Sequence, residues 1–183
     1  MVALRRIVVV SLTLVVLATI GGYALLRWVR ARVEAHAPHL IVDNIPETDF
    51  VFHTLSGEEK HLSDFRGQVV FLDLWGTWCL QCVAEMPTVQ RLYDHYRNDP
   101  KVTFLIVSRM DTPNAVRRFA RRGGYTLPFY VMRDDDIPPA MYLRQYPATF
   151  LYSADGIQVA HHAGGADWSD ASIVHRIDSL RPR

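Results

Sequence analysis

Between Ile7 and Leu26 the chain runs twenty residues without a charge, and fifteen of them are apolar. At a rise of about 1.5 Å per residue such a stretch reaches roughly 30 Å, the depth of a bilayer's hydrocarbon core. The chain is thereby divided into one segment suited to lipid and a remainder suited to water. Residues 7–26 are expected as a transmembrane anchor, 27–44 as a juxtamembrane linker and 45–183 as one folded domain. A cleaved signal peptide is the rival, with Arg5 and Arg6 as its basic start and Ala35-His36-Ala37 as a cleavage box. It fits poorly. The apolar stretch exceeds the usual ~7–15 residues of a signal core, three arginines intervene, and Pro38 follows the box.

Charge separates the same two parts. Residues 1–40 carry Arg5, Arg6, Arg27, Arg30 and Arg32 against Glu34, a net of +4; with +1 for the whole chain, the other 143 residues hold −3. A slightly acidic globule without a basic run offers nucleic acid no electrostatic footprint, and that class is excluded. Basic residues at both ends of an apolar span fit lipid headgroups. They leave its orientation open, because two arginines and the α-amino group precede it and three arginines follow.

Beyond the span, residues 27–48 show no sustained periodicity. Phe50 to Phe52 and His61-Leu62 flank a Ser56-Gly57-Glu58-Glu59 turn, which predicts a hairpin. Val69 to Trp75 is an almost continuous apolar run, the pattern of a strand buried on both faces of a sheet with parallel neighbours. From Cys82 the residues Val83, Met86, Val89, Leu92, Tyr93 and Tyr96 recur at helical spacing, and Pro87 within them predicts a kink. Val102 to Ser108 predicts the next strand and Asn114 to Arg122 the next helix, closed by Gly123-Gly124. A short strand is expected over Leu127 to Met132, and a short helix or turn over Pro139 to Gln145. Strands Thr149 to Tyr152 and Gln158 to His161 bracket an Ala154-Asp155-Gly156 hairpin signal, and Ser169 is placed to cap a last helix reaching Leu180. Strands alternating with helices, followed by a hairpin and a terminal helix, predict a three-layer α/β domain with a mixed central sheet.

The chain's only cysteines, Cys79 and Cys82, lie three apart where the buried strand gives way to a helix. A thiol in the first helical turn feels the unpaired backbone N–H groups there, which favours thiolate. A second thiol one turn on can close a disulfide with it, making a dithiol/disulfide couple. Half of a zinc site would need a second ligand pair, and none exists; a c-type haem needs His after the second cysteine, and position 83 is Val. Two inert buried cysteines remain a bland alternative. A peroxidase is disfavoured, since a Pro-x-x-x-Thr setting is lacking: position 72 is Leu and position 76 Gly.

Asp73 falls inside the buried strand, where desolvation should raise its pKa and suit it to accept the Cys82 proton. The alternative is a strand-end acid that reaches solvent. Glu85, three residues after Cys82, shares its side of the helix, with an ordinary solvated carboxylate as the alternative. Tyr146-Pro147 precedes an apolar strand, and by the usual preference of X-Pro bonds it is expected trans. The eight histidines form no HxxxH pair, and adjacent His161 and His162 point to opposite faces of a strand.

Taken together, Asp49-Phe50, Leu62 to Val70, Trp75-Gly76-Thr77-Trp78-Cys79-Leu80-Gln81-Cys82, Glu85-Met86-Pro87 and Pro147 to Leu151 resemble the TlpA/ResA-like membrane-anchored thioredoxin family, over roughly Ile45 to Leu180. The resemblance implies a thioredoxin fold with an N-terminal β-hairpin. It also implies residues 1–6 in the cytoplasm, an anchor in the inner membrane, and a domain on the periplasmic side that reduces protein disulfides. Clients would be apocytochromes in cytochrome c maturation or copper-site assembly factors; electrons would come from a transmembrane thiol reductant, with no cofactor or metal beyond the Cys79–Cys82 couple. Pro147 matches the cis-proline facing the active disulfide, which turns the expectation for Tyr146-Pro147 to cis, and the Tyr146 backbone would pair with the substrate strand beside Trp78. Asp73 matches the buried acid of thioredoxin, where many relatives carry Asn, and Glu85 matches a helix glutamate that tunes the thiols. Leu80-Gln81 departs from the usual proline-containing dipeptide, and Tyr146 from the small or β-branched residue usual before the cis-proline. A copper-handling module that uses Cys79 and Cys82 as ligands is the alternative function.

Overall fold

Strand β4 (Val69–Trp75) is buried at every position, because a core covers each face of the sheet there. It runs parallel to β5 (Val102–Arg109) and antiparallel to β7 (Ala148–Tyr152). Its side chains alternate between two cores. Val69, Phe71 and Trp75 face one side; Val70, Leu72 and Leu74 face the other. Asp73 shares the parity of Phe71 and Trp75, so the one acid in the strand points into the helix-covered layer.

The computed structural model describes residues 2–34, 36–46, 48–133 and 145–182. Helix α1 spans Val2–Glu34, α2 Leu80–Tyr96, α3 Pro113–Gly123 and α4 Ala171–Leu180. Met86 and Val89 of α2, Val116 of α3 and Ile173 and Ile177 of α4 share the core on which Phe71 and Trp75 pack. The remaining strands are β1 (Ile41–Pro46), β2 (Val51–Thr54), β3 (Glu59–His61), β6 (Phe129–Met132) and β8 (Ile157–Ala163). The eight strands form one mixed sheet in the order β1-β8-β7-β4-β5-β6-β2-β3.

Both expected hairpins are present: β2 pairs antiparallel with β3, and β7 with β8 around Gly156, whose φ of 76° suits a turn glycine. Helix α3 starts at a Thr112 cap and stops at Gly124 in the left-handed conformation.

Several local expectations need correction. Helix α2 begins at Leu80 with Cys79 as its cap, two residues earlier than its apolar stripe suggests, because a helix start is set by its cap as well as by its buried face. Asp170, not Ser169, caps α4, accepting from Ser172 N at 2.8 Å; Ser169 is engaged in a local turn with the Asp167 carboxylate. Strand β6 begins at Phe129 rather than Leu127. The stretch without periodicity is largely ordered: α1 continues to Glu34, and β1 pairs antiparallel with β8. The short helix or turn expected over Pro139 to Gln145 lies, but for Gln145, outside the described residues.

Candidate active site

Leaving β4, the chain turns through Gly76 to Trp78 and enters α2 at Cys79. A Cβ on Gly76 would lie 2.4 Å from the Trp78 indole nitrogen, so a larger residue there would displace that ring. The turn is tied to the end of β5. Asp111 accepts from Thr77 N at 2.7 Å, from Thr77 Oγ1 at 2.6 Å and from Ser108 Oγ at 2.5 Å, while Trp78 Nε1 donates to the Arg109 carbonyl at 3.1 Å. Sequence reasoning passed over Asp111 and Arg109. The available signal was an Asp two residues past a strand that must lie beside β4.

Cys79 and Cys82 form a disulfide with Cα atoms 5.3 Å apart. Cys82 N donates to Cys79 Sγ at 3.2 Å, so the outer sulfur occupies the capping position of α2. That is where free N–H groups stabilise negative charge. Cys79 keeps 8% of its surface and Cys82 none. A visitor therefore meets Cys79. Trp78, 52% exposed, and the exposed Leu80 flank it.

Tyr146-Pro147 is cis, in line with the family resemblance and against the ordinary X-Pro preference. Tyr146 packs edge-on against Trp78 with ring centroids 5.5 Å apart, which brings the segment before β7 to the cysteine-bearing turn. Its hydroxyl accepts from Arg109, whose guanidinium also lies over the ring at 5.5 Å. A side chain as large as tyrosine fits before the cis-proline because Arg109 and Trp78 hold it on two sides.

Asp73 and Glu85 are both fully buried, which removes the solvated alternative for each. Asp73 pairs in register with Thr149 of β7 and accepts from its hydroxyl at 3.3 Å. Burial pushes its pKa up to about 7, with the Thr149 bond opposing. Glu85 accepts from Trp168 Nε1 at 2.9 Å and from Ala166 N at 3.0 Å. Its pKa lies well above the usual carboxylate value, first through burial and then through the nearby Asp73 charge, while the two donors pull it down. Asp73 Oδ2 and Glu85 Oε1 are buried with no hydrogen-bond partner. Two acids in one dry layer cannot both ionise cheaply, so the pair is suited to hold and release a proton. Thr88 completes the fastening of α2 to the 166–168 segment by accepting from Trp168 N at 3.0 Å. Sequence reasoning missed Trp168 and Thr149. A buried indole N–H needs an acceptor, but pattern does not say which.

Among the described residues no group of three or more His, Cys, Asp or Glu is placed to hold a metal ion.

A family model described as AhpC/TSA matches residues 41–161. The thiol-disulfide oxidoreductase ResA of Geobacillus kaustophilus is 37% identical over 134 residues, covering 73% of this chain and 75% of ResA. The crystal structure of a secreted Mycobacterium tuberculosis disulfide oxidoreductase homologous to E. coli DsbE superposes with a TM-score of 0.57 at 28% identity, covering 72% of this chain and 96% of that one. A thiol:disulfide interchange protein of the thioredoxin family from Chlorobium tepidum has the same fold, with a TM-score of 0.57 at 16% identity over 76% of this chain and 98% of its own. The matched residues include the strand, the cysteine pair and the helix that carries it, and on them the chain belongs to the AhpC/TSA family, among the thiol–disulfide oxidoreductases that resemble ResA.

Proposed function

We propose that the chain is a membrane-anchored reductase of protein disulfides, with Cys79 as attacking sulfur and Cys82 as resolving sulfur. The observation that carries this is the asymmetry of the pair: one cysteine at the helix cap with 8% of its surface still open, the other sealed behind it.

In the reduced protein the Cys79 thiolate attacks a client disulfide. A Cys79–client bond forms, and the displaced client sulfur leaves as thiolate and takes a proton from water. Cys82 then loses its proton to the Asp73–Glu85 pair and attacks Cys79 Sγ, releasing the second client thiol and leaving the Cys79–Cys82 disulfide. Two electrons pass from the couple to the client. A transmembrane thiol reductant restores the dithiol. Trp78 and Tyr146-Pro147 receive the client backbone beside Cys79.

Helix α1 supports the anchor: Arg5–Val33 is a helix long and apolar enough to cross a membrane. With residues 1–6 in the cytoplasm, the domain faces the periplasm, where clients in cytochrome c maturation present oxidised cysteine pairs. No observation favours copper handling over this reading. Expressing Cys82→Ser in cells is expected to trap client proteins as mixed disulfides on Cys79. Cys79→Ser should trap none and lose disulfide turnover; turnover unchanged in Cys79→Ser would falsify the proposal.

A further inference from the structure

At 33 residues, α1 measures about 50 Å, well beyond the ~30 Å of hydrocarbon that Ile7 to Leu26 can fill. Its last turns lie on the domain: Val29 and Val33 are buried against Ala84 of α2. Arg30, between them, lines a groove of about 440 Å³ shared with Arg118 and Arg122 of α3, with Tyr125, and with Thr77 and Val83 beside the disulfide. No carboxylate is among the lining residues. Arg30 Nε is buried there without a hydrogen-bond partner. Helix α3 itself carries four arginines and no acid.

Depth supplies the rest. Four residues past Leu26, Arg30 stands about 6 Å beyond the hydrocarbon edge, and the headgroup layer is roughly 5–7 Å thick on each side. We propose that this groove binds the phosphate of an anionic phospholipid, with Arg30 on one wall and Arg118 and Arg122 on the other. The assignment rests on α1 spanning the membrane. It gives the three arginines the counter-charge that the protein itself does not provide in the groove, and it seats the disulfide at the membrane surface.

The test uses the full chain in nanodiscs of phosphatidylcholine and phosphatidylglycerol, followed by detergent extraction and native mass spectrometry of the lipid still bound. Wild type should retain phosphatidylglycerol in preference. The R118Q/R122Q variant should lose that preference roughly thirtyfold, at about one decade per 1.4 kcal/mol and about 1 kcal/mol per arginine. Arg30→Gln, acting from the opposite wall, should weaken it as well. Arg121→Gln, on the same helix but outside the groove, should leave it intact. Equal retention by wild type and R118Q/R122Q overturns the proposal, as does an equal loss in Arg121→Gln. Excess inorganic phosphate distinguishes the source: persistence of the lipid supports the headgroup, and its displacement makes this a free-phosphate site and overturns the lipid assignment. Carbonate extraction of cell membranes tests the anchor separately, since a released chain refutes the span and a retained chain without lipid preference refutes only the groove.

Discussion

Asp73 on β4 and Glu85 on α2 face the same buried layer, and each opposes ionisation of the other. Cys82, the resolving sulfur of the proposed mechanism, lies in that layer too. A negative charge nearby raises a thiol's pKa, so neutralising either acid should lower the pKa of the second thiol. Titrating thiolate absorbance of the reduced protein in wild type, Asp73→Asn and Glu85→Gln reads this directly. Asp73→Asn should also slow resolution of a mixed disulfide by roughly a hundredfold or more, the usual worth of a general base. If neither variant moves the titration, both carboxylates are structural. The apolar run of β4 marked Asp73 in the sequence as a candidate buried acid, with a strand-end acid reaching solvent left open beside it. The burial of Glu85 was not legible, because its shelter comes from Trp168 and Ala166, some eighty residues downstream.

Among the elements, the best foreseen were those whose side chains do the packing. β4 shows its two buried faces as an unbroken apolar run, and α2 shows its stripe. β1 does neither. It is an edge strand with Ile41, Val42 and Ile45 largely exposed, held by backbone pairing to β8 and by Asp43, which accepts from Gln158 Nε2 at 2.9 Å and pairs with His161. Backbone bonds leave no periodicity to read. The end of α1 was hidden for a related reason, since only Val29 and Val33 of its last turns are buried hydrophobics. That docking is close-fitting: a Cβ on Gly165 would come within 2.9 Å of Val33 Cγ2. Gly165→Leu should therefore push α1 away from α2, and residues 27–34 should exchange amide hydrogens faster, by roughly tenfold for each 1.4 kcal/mol of packing lost. Unchanged exchange there would mean that the two helices do not depend on this contact.

For the whole molecule, the two buried acids set how stability varies with pH. Both have folded-state pKa values raised above those of the unfolded chain, so the native state holds protons that the unfolded state has released. Their contribution to stability is then greatest below the unfolded carboxylate pKa near 4 and is lost as pH rises toward 7, by up to about 4 kcal/mol for Asp73 alone. Thermal unfolding of the oxidised chain in detergent should show a melting temperature that declines over this range. Asp73→Asn should flatten the decline and raise the melting temperature at pH 8. A melting temperature independent of pH would place both carboxylates in contact with solvent. In the proposed proton-accepting role the acid carries a cost in stability, one that a chain selected for robustness alone would shed by replacing it.

Because α1 passes from its apolar stretch into the flank of α2 without a break, the head has no leash. A floppy tether would let the sulfur pair roam a hemisphere and pick up oxidised chains well out in the compartment. On the proposed anchor, a stiff neck would confine it to a thin slab along the lipid, so that encounters would become a matter of lateral diffusion and targets would have to arrive at the surface to be served.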